Sequence, residues 1–318
     1  TKLNNVDFTG ENNTFIGSEA GAADSTAVAS TYIGSRAGVN SRGSFGNTFV
    51  GASSGAGSTT GTHNTAIGLG AGSSSTGSRN VSMGAETGSV GPGNENVMVG
   101  YNVASFVQGG NGNVWIGSNA GTGNFGLFPK GISDNNVFIG DSAAFQTNGA
   151  QANVFIGKRS GLSSTTSKFN VFVGDSSGIN NNSGNLNTFI GSKARGSSGG
   201  ITNATAIGAH AQAAGNNVVV LGSIEGINGA TESVNVGIGT ATPSRRLYIQ
   251  DGAGSGVNSA GNSLLVLDKT GGPNYLSIIN GNTFESGLVF GRAGSNQPPF
   301  DGGIFYNVSN TPGGMQFR

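Results

Sequence analysis

The sequence predicts an all-β chain: a parallel β-solenoid (a β-roll of about 12 coils, about 17 residues each) and then a small β domain. Three observations predict the solenoid. A glycine recurs at Gly17, Gly34, Gly51, Gly68, Gly84, Gly100, Gly117, Gly140, Gly157, Gly174, Gly191 and Gly208, at spacings of 16 or 17 residues except for one of 23. A short alternating apolar segment precedes each one. No helical period of useful length appears anywhere. The 60 glycines in 318 residues would suggest disorder without a period, and with one they read as corners of a repeat.

Residues 1–10 lead in, with Val6 and Phe8 hinting at an entering strand. Residues 11–222 are the solenoid. Three before each glycine stands Thr or Val, and one before it Ile, Val or Met. β-Branched residues two apart share one face of an extended strand, so this pair is expected to face the interior. Three after the glycine the residue is usually small, as in Ala20, Ala37 and Ala71, which predicts a second strand across a thin interior. Four before the glycine stands Asn in ten coils of twelve, placed to ladder onto the Asn above and below. A second glycine recurs four after the first, marking another corner. Stacking at roughly 4.8 Å per coil makes a rod of roughly 55 Å. Residues 223–242 break the period and read as a neck. Residues 243–318 read as a second β domain, with strands expected at 246–250, 263–268, 275–279, 288–290 and 304–306.

The position two before the glycine then points outward. It holds Phe15, Tyr32, Phe49, Trp115, Phe138, Phe155, Phe172 and Phe189 among its twelve residues. An outer stripe of that length exceeds what a soluble monomer leaves in water. Either a loop of the same coil folds over it, or identical copies bury it as a trimer interface, which closed symmetry allows without open filaments. The 23-residue spacing adds six residues within 122–134, and Phe125, Leu127 and Phe128 there form a candidate receptor-contact loop, unless they cover the stripe or a neighbouring chain instead.

The segments Asn-Thr-Phe-Ile-Gly-Ser-Glu-Ala-Gly (13–21), Asn-Val-Phe-Ile-Gly-Lys-Arg-Ser-Gly (153–161) and Ala-Thr-Ala-Ile-Gly-Ala-His-Ala-Gln-Ala (204–213) resemble the head repeats of trimeric autotransporter adhesins. So does Asn-Val-Val-Val-Leu-Gly (217–222). The resemblance implies a left-handed parallel β-roll and a copy number of three. The unit here is longer, and aromatics stand where that family favours Ala. Further on, Asn-Val-Gly-Ile-Gly-Thr-Ala-Thr-Pro-Ser-Arg-Arg-Leu (235–247) is similar to a segment of phage tail fibres, where it often precedes an endosialidase-type chaperone domain. The two resemblances together imply a trimeric surface fibre.

Composition excludes other classes. Lys+Arg and Asp+Glu both number 15, so no basic excess draws nucleic acid or an anionic membrane. No apolar run is long enough to span a bilayer as a helix. Without cysteine there are neither disulfides nor thiolate metal sites. His63 and His210 lie about nine coils apart, roughly 40 Å on the rod, so they share no site. Asp141 and Asp175 match in phase but stand two coils apart. The reading is therefore a non-enzymatic fibre without cofactors or metals, extracellular or on a virion, whose partners are its own copies and a cell-surface receptor, glycans included. A bacterial adhesin head and a structural filament subunit are the alternatives.

Overall fold

The computed structural model describes residues 10–74, 76–89, 93–105, 109–123, 133–251, 265–269, 286–290, 302–307 and 314–317. The chain divides into two units, Thr1–Val236 and Gly237–Arg318.

Each apolar triplet before a glycine is a three-residue strand. They are β1 (Thr14–Ile16), β2 (Thr31–Ile33), β3 (Thr48–Val50), β4 (Thr65–Ile67), β5 (Val81–Met83), β6 (Val97–Val99), β7 (Val114–Ile116), β8 (Val137–Ile139), β9 (Val154–Ile156), β10 (Val171–Val173), β11 (Thr188–Ile190), β13 (Thr205–Ile207) and β15 (Val219–Leu221). Between the last of them lie two short strands, β12 (Arg195–Gly196) and β14 (Gln212–Ala213), which pair with each other. The thirteen triplets form one parallel sheet in chain order. Register is strict: Thr14 opposes Thr31, Phe15 opposes Tyr32 and Ile16 opposes Ile33. It survives the long insertion, since Val114 still opposes Val137. The parallel β-solenoid of about 17 residues per coil is thus the fold.

Which face lies inside is the reverse of the sequence expectation. Phe138, Phe155, Phe172 and Phe189 are fully buried within the single chain, as are Tyr32, Phe49 and Trp115, and Phe15 is half-buried at the end of the stack. This column is the core of the roll, not an outer stripe, so these eight residues are not available as a trimer interface. The Thr/Val and Ile/Val positions on either side point outward. Alternation fixes only that the two sets oppose each other, and both are apolar, so the interior goes to whichever set fills it better. One aromatic ring per layer does so. The rings lie almost parallel at 4.7 Å (Phe15 on Tyr32), 4.9 Å (Tyr32 on Phe49), 4.7 Å (Phe155 on Phe172) and 5.0 Å (Phe172 on Phe189). Those separations match the strand spacing, so the backbone ladder sets the rings at a stacking distance.

The glycine four residues past the corner makes room for the ring. A Cβ on Gly55 would lie 2.4 Å from the Phe49 ring, and one on Gly161 would lie 2.4 Å from the Phe155 ring. The corner glycine itself has φ between 120° and 138° at all twelve positions, and a Cβ on Gly157 would meet the carbonyl oxygen of Gly174 at 2.5 Å. That conformation and that contact admit only glycine.

The Asn ladder is present. The Asn153 side-chain amide donates to the Ser167 carbonyl at 2.8 Å, while its Oδ1 accepts the Asn170 backbone N–H at 3.0 Å. The same pair of bonds runs from Asn47 through Asn64, Asn80, Asn96, Asn113 and Asn136. Where Asn is missing, the Ser30 hydroxyl accepts from the Asn47 backbone, and the Ala204 backbone still donates to Asn187. Buried backbone groups at this corner thus find partners from coil to coil.

From the boundary between the units onward, β16 (Val236–Ile238), β17 (Leu247–Asp251) and β18 (Leu265–Lys269) form one sheet, with β17 and β18 parallel. β19 (Ser286–Phe290), β20 (Gly302–Asn307) and β21 (Gly314–Phe317) form an antiparallel one. The strand expected at 275–279 lies outside the described residues, as does the 1–9 lead-in.

Candidate functional site

With the aromatics inside, the surface of interest is the outward face of the thirteen-stranded sheet. Two rows of thirteen side chains run along it. One begins Thr14, Thr31, Thr48, the other Ile16, Ile33, Val50. None of the twenty-six residues is charged. Ten of the nineteen exposed large apolar side chains among the described residues stand in these rows, including Ile16 at 57 % and Ile156 at 37 % exposure. The strands keep the rows in line because every triplet has the same length and register. The 23-residue spacing leaves the face unbroken, since Val114–Ile116 still pairs in register with Val137–Ile139.

The corners beside the face carry the charges. Each coil places one residue in the left-handed region two after its glycine, and another just before the Asn. Arg36, Arg159 and Lys193 stand in the first column, and His63, Arg79 and Glu95 in the second. Neighbouring coils pair opposite signs: Arg36 lies 3.5 Å from Glu19, and Arg79 donates to Glu95 at 2.7 Å. Both pairs are solvated, and such pairs contribute little to stability. Asp141 and Asp175 sit in phase with Lys158 between them, so the column alternates in sign.

The other sequence candidates separate. His63 occupies a corner, its ring edge-on to Phe45 at 5.0 Å. His210 holds the Asn228 carbonyl through Nδ1 at 2.8 Å, while the Asn228 amide donates to the carbonyls of His210 and Lys193. That side chain clasps the 223–234 segment to the last coils. Phe125, Leu127 and Phe128 lie outside the described residues. Among the described residues there is no cluster of three His, Asp or Glu able to hold a metal, and no helix long and apolar enough to cross a membrane.

One polar cluster escaped the sequence reading. Asp24 is fully buried and accepts from the Tyr32 hydroxyl at 3.0 Å, from the Gly43 N–H at 2.9 Å, and from the Ser44 hydroxyl and N–H. Its four donors offset the cost of burying a carboxylate. Burial first, and the Asp24 charge with it, pushes the Tyr32 phenol above its ordinary value, against the lowering effect of the hydrogen bond with Ser44. Tyr32, Asp24 and Ser44 are all sealed from solvent, so the cluster is structural. Its signal was a coincidence of two columns: the lone Tyr of the aromatic column follows the lone Asp of the column seven past the glycine.

The fold and this surface define a β-solenoid repeat protein. Neither a family model nor a curated protein matches the chain.

Proposed function

We propose that the chain is a non-enzymatic homotrimeric fibre that binds a cell surface, as part of a phage tail fibre or a phage-like injection apparatus. The observation that supports this best is the in-register stack itself. Thirteen strands in one parallel sheet, a stacked aromatic core and a continuous Asn ladder give a stiff element whose surface columns repeat at fixed spacing. Such an element suits reach and multivalent display better than enclosure of a substrate. Light scattering at low micromolar concentration should give about three times 31.4 kDa, and a monomer would end the trimer reading. A glycan array with the purified protein should return a defined set of ligands, and a blank array on intact cells and glycans alike would remove the receptor reading.

A second reading, a filament subunit, draws on the position of β15 as the last strand of the parallel sheet, paired with β13 on one side. Electron microscopy separates the two: discrete rods support the fibre, and end-to-end chains support the filament.

A further inference from the structure

We infer that the outward face of the thirteen-stranded sheet is the surface on which copies of this chain associate, with the Thr/Val and Ile/Val rows meeting their counterparts around an axis parallel to the rod. This rests on the homotrimer reading above and supplies the interface that the aromatic column cannot.

Four features select a second copy of the chain as occupant. The first is area. Thirteen strands at about 4.8 Å and two rows about 7 Å apart give a strip of on the order of 400–450 Å². That is already the size of the largest apolar patch a monomer typically leaves exposed, and about half of the roughly 800 Å² per partner of a standard interface before the flanking corners are counted. The second is charge. Not one of the twenty-six positions is ionisable, so two such faces meet without stranding a charge. The third is the rim. The corner column two past the glycine lines one side with Glu19, Arg36, Glu86, Arg159 and Lys193, while the other side carries Arg79 and Glu95 beside the exposed Phe169 and Leu186, so the polar edge expected of an interface is marked chiefly on one side. The fourth is periodicity. Every layer presents the same pair of outward positions at the same height, so a rotation about the rod axis brings each layer against its own copy. Such an interface is complementary to itself at every coil and closes without growing into a filament.

The absence of cysteine makes the test clean. Ile156→Cys and Ile190→Cys each place a single thiol on the face, and Thr166→Cys places one on an exposed position elsewhere on the coil. Near a rotation axis, equivalent residues approach within the roughly 7 Å between Cα atoms that a disulfide requires. On mild oxidation the two face variants should yield covalent dimers of twice 31.4 kDa on a non-reducing gel, and the Thr166 variant should not. In parallel, the double variant Ile156→Lys/Ile190→Lys should lower the mass by scattering about threefold while the circular dichroism of the strands is retained. If the wild type is a trimer that neither cross-links through the face nor dissociates with the lysines, the face assignment fails and the trimer stands. If the wild type is a monomer and the face thiols do not cross-link, the trimer reading and the assignment both fail.

Discussion

Two stretches of the same roll solve the same packing problem differently. From β8 to β11 the core position is Phe in every coil, and the rings stack at 4.7–5.1 Å. At β4 and β5 it is Ala66 and Ser82, and the buried apolar core divides there into two clusters, one ending at Ala66 and Ala71, the other beginning at Met98. The spacing between corner glycines shortens from 17 to 16 residues across Gly68, Gly84 and Gly100. The backbone does not notice: Ala66 opposes Ser82 in the same parallel register, and the Asn ladder passes straight through Asn64, Asn80 and Asn96. Hydrogen bonds therefore set the continuity of the solenoid, while the core side chain sets how much each coil contributes to its stability.

Truncating a ring should break the aromatic stretch most severely. Phe155→Ala should cost about 3–5 kcal/mol, as expected for a fully buried Phe, read as a drop in the denaturant midpoint. Ala66→Gly removes one methyl group in the other stretch and should cost less than half as much. The next effect comes from the glycines opposite the core. Gly161→Ala adds a methyl 2.4 Å from the Phe155 ring at φ +59°, whereas Gly72→Ala adds one 3.2 Å from the small Ala66 at φ +58°. Both bear the left-handed penalty of about 1–2 kcal/mol. Only Gly161→Ala adds overpacking, of about 1–3 kcal/mol more. A thermal melt of the two variants measures the difference, and equal shifts would show that the ring is not what the glycine accommodates.

The Asn ladder should erase the contrast. Asn153→Ala and Asn80→Ala each leave buried backbone groups without partners and should each cost about 1–3 kcal/mol, alike in both stretches. The smallest effect is the one at Tyr32. Its phenol is raised in the folded chain, so its contribution is fully present below the ordinary value near 10 and is lost as pH rises through the folded value. Urea midpoints measured from neutral to alkaline pH should fall more steeply for the wild type than for Tyr32→Phe.

The repeat was legible in the sequence almost to the residue, because a corner that admits only glycine marks every coil. The Asn ladder was legible for the same reason: a stacked position can repeat its hydrogen bonds only if the side chain repeats. The orientation of the strand was not. With three residues per strand, Val154, Phe155 and Ile156 offer an apolar choice on either face, and no polar residue points to water. The deciding contact spans six residues, from Phe155 to Gly161, and pairs a ring with the absence of a side chain. Read as a corner alone, that glycine carried no information about the ring. The error then displaced the candidate interface from one face of the sheet to the other.

The chain has a single tryptophan, Trp115, in the core column and 1 % exposed. Its fluorescence therefore reports directly whether that column lies inside one chain or between chains. Acrylamide quenching should be compared in the wild type and in Ile156→Lys/Ile190→Lys under native conditions. A core column within each chain predicts blue-shifted, weakly quenched emission in both, whatever their mass. Emission that shifts red and becomes readily quenched in natively folded single chains would contradict it, and would return the aromatic column to the interface.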